Sequence, residues 1–301
     1  MKIIGVDVGG TKISVGLIEN EQVVKQYSCP TPFDAEKLVV VDAIARAIGE
    51  VFYPEVAGIG IGVPGLVDHD KNMVIDVTNI PSWDEVPLKD LLQERFGKPV
   101  FVNNDANCFA IGEKYFGKGK PFSNFVGLAI GTGLGAGIII NGHLYSGKYS
   151  GAGEFGCLYY LDNNTEAYCS GQFFSQKLNL SGEDLFNRVE KGDKEAAKIF
   201  NEFGIHLGKA ISVIMLAVDP EVIILGGSVS KAYKYFKDAV MISLQNFPYK
   251  NSVKNLKIIT SNLTHIAILG AAALYFENRG IMAGSPEIEI INRTSNEYYN
   301  S

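Results

Sequence analysis

Residues 3–18 and 125–140 read as one object built twice: an apolar strand, a glycine-rich turn and a second apolar strand. The first copy is Ile4-Gly-Val-Asp-Val-Gly-Gly-Thr-Lys12 running into residues 13–18; the second is the run 125–130 followed by Gly131-Thr-Gly-Leu-Gly-Ala-Gly137 and an apolar stretch to Ile140. With Gly5 laid on Gly127 and Gly9 on Gly131, glycines and apolar positions fall in nearly the same order, and polar turns at Asn20 and Asn141-Gly142 follow each copy. Each copy is predicted to be a β-hairpin.

A phosphate can rest on backbone N–H groups only where no Cβ blocks its approach, and a threonine hydroxyl adds a donor. Asp7 stands beside the first such turn, where a carboxylate facing phosphates calls for a Mg²⁺ ion between them. Either copy alone reads equally well as a plain hairpin turn; two together favour a grip on ATP. The rival phosphate motifs fail on context. The glycines of 131–137 precede a strand-like run where a dinucleotide fingerprint needs a helix, and no G-x-x-x-x-G-K-[ST] run occurs.

A chain of 301 residues, 47% hydrophobic and 20% charged, can bury two domain-sized cores. The most apolar helical stretch, 211–218, is too short for a membrane span, and the N-terminus enters a strand without a signal-peptide core, so the expectation is a cytoplasmic protein with no membrane partner. Cys29, Cys108, Cys157 and Cys169 form no disulfide framework and read as reduced thiols. A net charge of −6 with scattered Lys and Arg argues against a nucleic-acid surface.

Along the chain, Leu38, Val41, Ile44, Ala45 and Ile48 predict a helix over 35–52, and strands are expected at 23–27, 57–63 and 100–102. A short helix over 88–96 should stop at Gly97. Asn103-Asn104-Asp105 then falls where a strand gives way to a helix reaching about Tyr115. Gly117-Lys-Gly-Lys-Pro121 is the expected domain boundary, giving an N-terminal lobe 1–116 and a C-terminal lobe 117–301, with 284–301 able to pack back on the first. Residues 145–182 look irregular; a long helix over 193–218, a strand 222–225 ending at Gly226-Gly227-Ser228 and a further helix follow. The order repeats with a strand at 256–259 and a helix over 266–276. Small residues at such strand-to-helix turns suit the flat face of an adenosine, whereas Gly270-Ala-Ala-Ala273 fits close helix-to-sheet packing equally well. Asp105, at a strand's C-terminal end, is placed to accept the proton of an attacking hydroxyl in phosphoryl transfer, although Asn-Asn-Asp alone also serves as a helix cap.

Taken in order, Asp7-x-Gly-Gly-Thr-Lys12, Gly62-Val-Pro-Gly65, Asn103-Asn-Asp-Ala-Asn107 with Gly112-Glu113, Ile130 to Gly137, Gly153-Glu-Phe-Gly156, Ile224-Leu-Gly-Gly-Ser228 and Leu269-Gly-Ala-Ala272 resemble the sugar kinases of the ROK family. The resemblance implies an α/β, two-lobed actin/hexokinase (ribonuclease-H-like) fold that closes over a sugar and Mg-ATP, and a homodimer. It makes Asp105 the base, with Gly65, Asn79, Asn104, Glu154 and Glu166 contacting the sugar. Asp7, Gly9, Gly10, Thr11, Lys12, Thr132 and Gly133 correspond to the phosphate turns, Gly226 and Gly227 to the adenosine side, and Trp83 to packing.

One departure is large. The family places His after Gly-Glu-x-Gly, then a cysteine-rich segment that holds a structural zinc; here Cys157 takes the His position and the chain passes from Leu161 through Asp-Asn-Asn-Thr to Glu166-Ala-Tyr-Cys-Ser-Gly171. With no histidine between residues 144 and 205, a zinc site is not expected, and loss of the His should shift or relax sugar preference. The expected activity is ATP-dependent phosphorylation of a hexose, glucose at its 6-hydroxyl. The alternatives are a kinase for fructose or an N-acetylhexosamine, or a sugar sensor derived from a kinase.

Overall fold

Strands Lys2–Val8 and Lys12–Glu19 are buried at almost every position, the pattern of strands covered on both faces. Their β-branched residues suit a pleated surface, and the register runs unbroken from Lys2 opposite Glu19 to Val8 opposite Ile13. The computed structural model describes residues 1–178 and 180–281; the expectations for 284–301 lie outside the described residues.

The first sheet has the order Gln22–Pro30, Lys12–Glu19, Lys2–Val8, Val56–Val63, Val100–Asn104. Its first three strands are antiparallel and its last two join in parallel. The second sheet repeats that plan: His143–Tyr145, Leu134–Ile140, Phe125–Ile130, Val222–Gly226, Lys257–Thr260, the last two again parallel to their neighbours. The duplication read from two glycine turns therefore extends through two whole sheets.

Contacts divide the chain into two units: Met1–Pro121 with Gly137–Ala152 and the chain from Asn262 onward, and Phe122–Ala136 with Gly153–Ser261. The sequence suggests a single break near 116; the first unit instead takes back two later segments. The reason is packing. Helix Ile266–Asn278 buries Ile268, Leu269 and Ala271–Leu274 and lies on Lys2–Val8, Val56–Val63 and helix Asp105–Phe116. Its approach is backbone to backbone: a Cβ on Gly270 would strike the carbonyl of Cys108, and one on Gly60 the carbonyl of Ala271. Gly270-Ala-Ala-Ala273 is thus a packing surface. On the other side of the same unit, helix Lys37–Gly49 buries Val40, Val41, Ile44, Ala45 and Ile48, while Leu38, counted on the apolar stripe, is 59% exposed in the first turn.

In the second unit, helix Lys194–Val218 is long and apolar enough to cross a membrane by length and composition, more than the run 211–218 suggests. It is a core helix: Phe200, Phe203, Leu207, Ile211 and Ile214 are buried, and it packs along helix Tyr233–Leu244. The stretch expected to be irregular contains helices Thr165–Cys169 and Gly171–Leu178, and helix Gly182–Glu190 follows behind a capping box on Ser181 and Asp184. A small antiparallel sheet, Leu66–Asp68, Met73–Ile75 and Glu85–Val86, escapes the sequence reading because its strands are only two or three residues long.

Gly270→Ala tests the backbone packing by sign. On an exposed helix the change would gain about 1 kcal/mol of helix propensity; here overpacking against Cys108 should outweigh it and lower stability by about 1–3 kcal/mol in urea denaturation.

Candidate active site

Three parallel strands of the first unit end together. Asp7 pairs in register with Gly62, and Gly62 with Asn103, so two inter-strand steps of roughly 10 Å in all separate the Asp7 and Asn103 backbones. The buried Cys108 thiol lies against Gly62 and is pushed well up by burial, with the charges of Asp105 and Asp7 adding to the effect. Asp7, near the end of Lys2–Val8, and Asp105, directly after Val100–Asn104, therefore lie at one end of the sheet.

Asn104 is the N-cap of helix Asp105–Phe116, its Oδ1 accepting from the N–H groups of Ala106 at 2.9 Å and Asn107 at 3.4 Å. Its Nδ2 donates to the Gly65 carbonyl at 3.3 Å, which brings those two expected sugar contacts together. Asn103 accepts from the Asn104 N–H at 2.8 Å and from Asn107 Nδ2 at 2.9 Å, and donates to Ser146 Oγ at 3.1 Å. Asn107 Nδ2 also reaches the Ser150 carbonyl at 3.0 Å. This network leaves Asp105 as the exposed first residue of the helix, its Oδ1 accepting from the Ala106 N–H at 2.8 Å.

The first glycine turn closes with the Gly9 N–H donating to the Lys12 carbonyl at 2.9 Å. Thr31, not singled out in the sequence, holds it from behind: its Oγ1 donates to the Gly9 carbonyl at 2.7 Å and its N–H to the Thr11 carbonyl at 3.0 Å. Thr11 and Lys12 are exposed. Asn79 lies against Gly10, close enough that a side chain there would meet the Asn79 Cβ. The loop carrying Asn79 is anchored by Trp83, 1% exposed, whose Nε1 donates to the Lys37 carbonyl at 3.4 Å. Asp7 is half-buried, and burial pushes its carboxyl up to about 6 despite the opposing pull of Lys12.

The second unit carries the remaining expected residues. Thr132 and Gly133 form the turn between Phe125–Ile130 and Leu134–Ile140, closed by the Gly131 N–H on the Gly133 carbonyl at 3.0 Å. Gly226 ends its strand, and Gly227, at φ +79°, lies against the Ile130 carbonyl. A cavity of about 570 Å³ opens beside Thr132 and is lined also by Gln172, Phe186, Asn187, Ser228 and Lys231. Burial raises the Glu154 carboxyl; the Cys157 thiol, its Sγ 3.8 Å from Glu154 Oε2, opposes the rise, and the nearby Glu166 charge adds to it. Among the described residues no group of three or more His, Cys, Asp or Glu is arranged to hold a metal ion.

The ROK family matches residues 3–278. The chain belongs to this family. Its fold is that of the ROK sugar kinases, the actin/hexokinase-like fold: a glucokinase of this family from Streptomyces griseus, solved with glucose and AMPPNP, superposes with a TM-score of 0.76 at 28% identity, over 91% of this chain and 99% of that one. A glucokinase of Thermotoga maritima is 31% identical over 93% of this chain and 99% of its own length. An N-acetyl-D-glucosamine kinase of Haemophilus influenzae is 32% identical over 78% of this chain and 86% of its own length.

The raised Asp7 carboxyl gives a ligand-free test. Between its ordinary value of 3.8 and about 6 the folded protein keeps a proton that the unfolded chain has released. Stability should therefore fall as pH rises through that window and stay lower above it. Asp7→Asn lacks this penalty, so its stability advantage over wild type in Mg²⁺-free urea denaturation should grow from pH 4 to pH 7.5; a constant difference would remove the burial argument.

Proposed function

We propose that this ATP-dependent sugar kinase phosphorylates a free hexose, with glucose as substrate and its 6-hydroxyl as acceptor. The observation that carries the reading is the gathering of Asp105, Asn104, Gly65, Asn79, Asp7 and the first glycine turn in one unit, on residues that fit the ROK sugar-kinase pattern in order.

Asp105 acts as base. Exposed at its helix start, it accepts the proton of the sugar hydroxyl as the phosphoryl group transfers, a task of orientation more than of proton pull in a loose transition state. Within the first unit Asn104, Gly65 and Asn79 are the proposed sugar contacts; within the second unit they are Glu154 and Glu166. Gly9, Gly10, Thr11 and Lys12, with Thr132 and Gly133, receive the phosphates, and Gly226 and Gly227 border the adenosine.

Asp7 fits a magnesium site: a half-buried carboxylate held up at about 6 gains from a cation beside it, and Mg²⁺ commonly takes one or two carboxylates plus phosphate oxygens. When bound, the ion would neutralise charge on the phosphates. Zinc has no part in this reading. Cys157, where the family has His, offers Glu154 only a weak S–H donor, so preference around the anomeric position should be relaxed. An N-acetylhexosamine is the second reading, because the N-acetyl-D-glucosamine kinase and the glucokinase are nearly equally similar to this chain. ATP as donor places the reaction in the cytoplasm, and a homodimer is the expected assembly.

Asp105→Asn should lower kcat by roughly 10²–10⁴-fold on the best of glucose, fructose and N-acetylglucosamine, with AMPPNP affinity by calorimetry nearly unchanged. Full activity in the variant would take Asp105 out of the mechanism.

A further inference from the structure

Glu166 enters the proposed reaction as a sugar contact, yet its carboxylate is already engaged on the opposite errand. Oε2 accepts the Leu134 N–H at 2.9 Å and Oε1 accepts Gln172 Nε2 at 2.8 Å. Leu134 follows directly on the second glycine turn, and Gly133 lies so close that a side chain there would run into the Glu166 carboxylate. Two neighbours of Glu166 grip the same turn: the Ser170 Oγ donates to the Thr132 carbonyl at 3.0 Å, and the Gly171 N–H to the Gly131 carbonyl at 2.7 Å. Residues 166–171 thus hold positions 131, 132 and 134 within one unit.

We propose that Glu166 is a positioning residue for the nucleotide, acting through the turn that receives its phosphate. Holding the turn's carbonyls and the Leu134 N–H from behind restricts the conformations in which the Thr132 and Gly133 donors can face a phosphate. Such preorganisation lowers the ordering cost of binding. A carboxylate offers about four acceptor sites. Two are occupied here, and the others remain for sugar hydroxyls, so one side chain serves both substrates. The inference rests on the kinase reading for its ligand, and on geometry alone for the clamp.

The test is AMPPNP affinity by calorimetry with no sugar present, on the full chain, together with hydrogen exchange of the peptide spanning 128–136. Glu166→Ala should weaken AMPPNP by about tenfold, the loss of one charge-assisted hydrogen bond, and speed exchange at the turn while the rest of the unit is unchanged. Glu166→Gln keeps one oxygen for the Leu134 N–H and should restore most of the affinity. Should Glu166→Ala fail to fold, Ser170→Ala removes the Thr132 tether together with the acceptor of the Gln172 N–H, leaves the Glu166–Leu134 bond in place, and is expected to shift both readouts in the same direction by less. A residue that only contacts sugar would leave sugar-free AMPPNP affinity and exchange at 128–136 at wild-type values, and that result overturns the proposal. If wild type itself does not bind AMPPNP, the kinase reading fails, while exchange at 128–136 in Glu166→Ala still decides whether the clamp exists.

Discussion

Helix Ile266–Asn278 meets strands Lys2–Val8 and Val56–Val63 backbone to backbone at Gly5 and Gly60, and the placement of the first unit's chemistry depends on that contact. Gly5 and Gly60 accept the carbonyls of Ile268 and Ala271, and Gly112 and Gly270 let the same helix touch helix Asp105–Phe116. Asp7 ends one of these strands, and Asp105 begins that helix. Interiors this close-packed transmit small shifts, so a methyl group at Gly270, pressed on the Cys108 carbonyl, would strain the helix that begins at Asp105.

The two glycine turns are built to a common rule. Each closes on itself by one short backbone hydrogen bond, and each is held from behind by a hydroxyl and an N–H donating to its carbonyls: Thr31 for the first, Ser170 and Gly171 for the second. With the carbonyls satisfied on one side, the N–H groups and the Thr11 and Thr132 side chains are left for the other. That arrangement suits an anion and explains why the duplication persists in both sheets although the sequences of the two halves match only weakly. The cost is visible at Asp7, whose carboxyl is held up at about 6 by burial. Burial disfavours its charged form, which a cation beside it would stabilise.

Much of this was legible in the chain. Apolar runs gave the central strands to within a residue or two, and Asn104 announced the helix that carries Asp105 because a side-chain oxygen at an N-cap is a local device. What stayed hidden was non-local. The return of Ile266–Asn278 to the first unit depends on glycines more than two hundred residues away along the chain, and the strands of the Leu66–Asp68 sheet are too short to show a period. Glu166 could be matched to a family position, but its bond to Leu134 spans 32 residues and no pattern in either segment points to the other. Ser181-Gly-Glu-Asp184 is a local signal of the same kind as Asn104: a capping box that opens helix Gly182–Glu190 where the stretch expected to be irregular ends.

The reaction proposed is phosphoryl transfer from ATP to a sugar hydroxyl. It is tested most directly by ³¹P NMR of the products when the purified protein is given Mg-ATP with glucose, fructose or N-acetylglucosamine separately. Transfer gives a sugar 6-phosphate in step with ADP for one of these sugars, glucose first. ADP accompanied by orthophosphate alone, or no ADP with any of them, would contradict it.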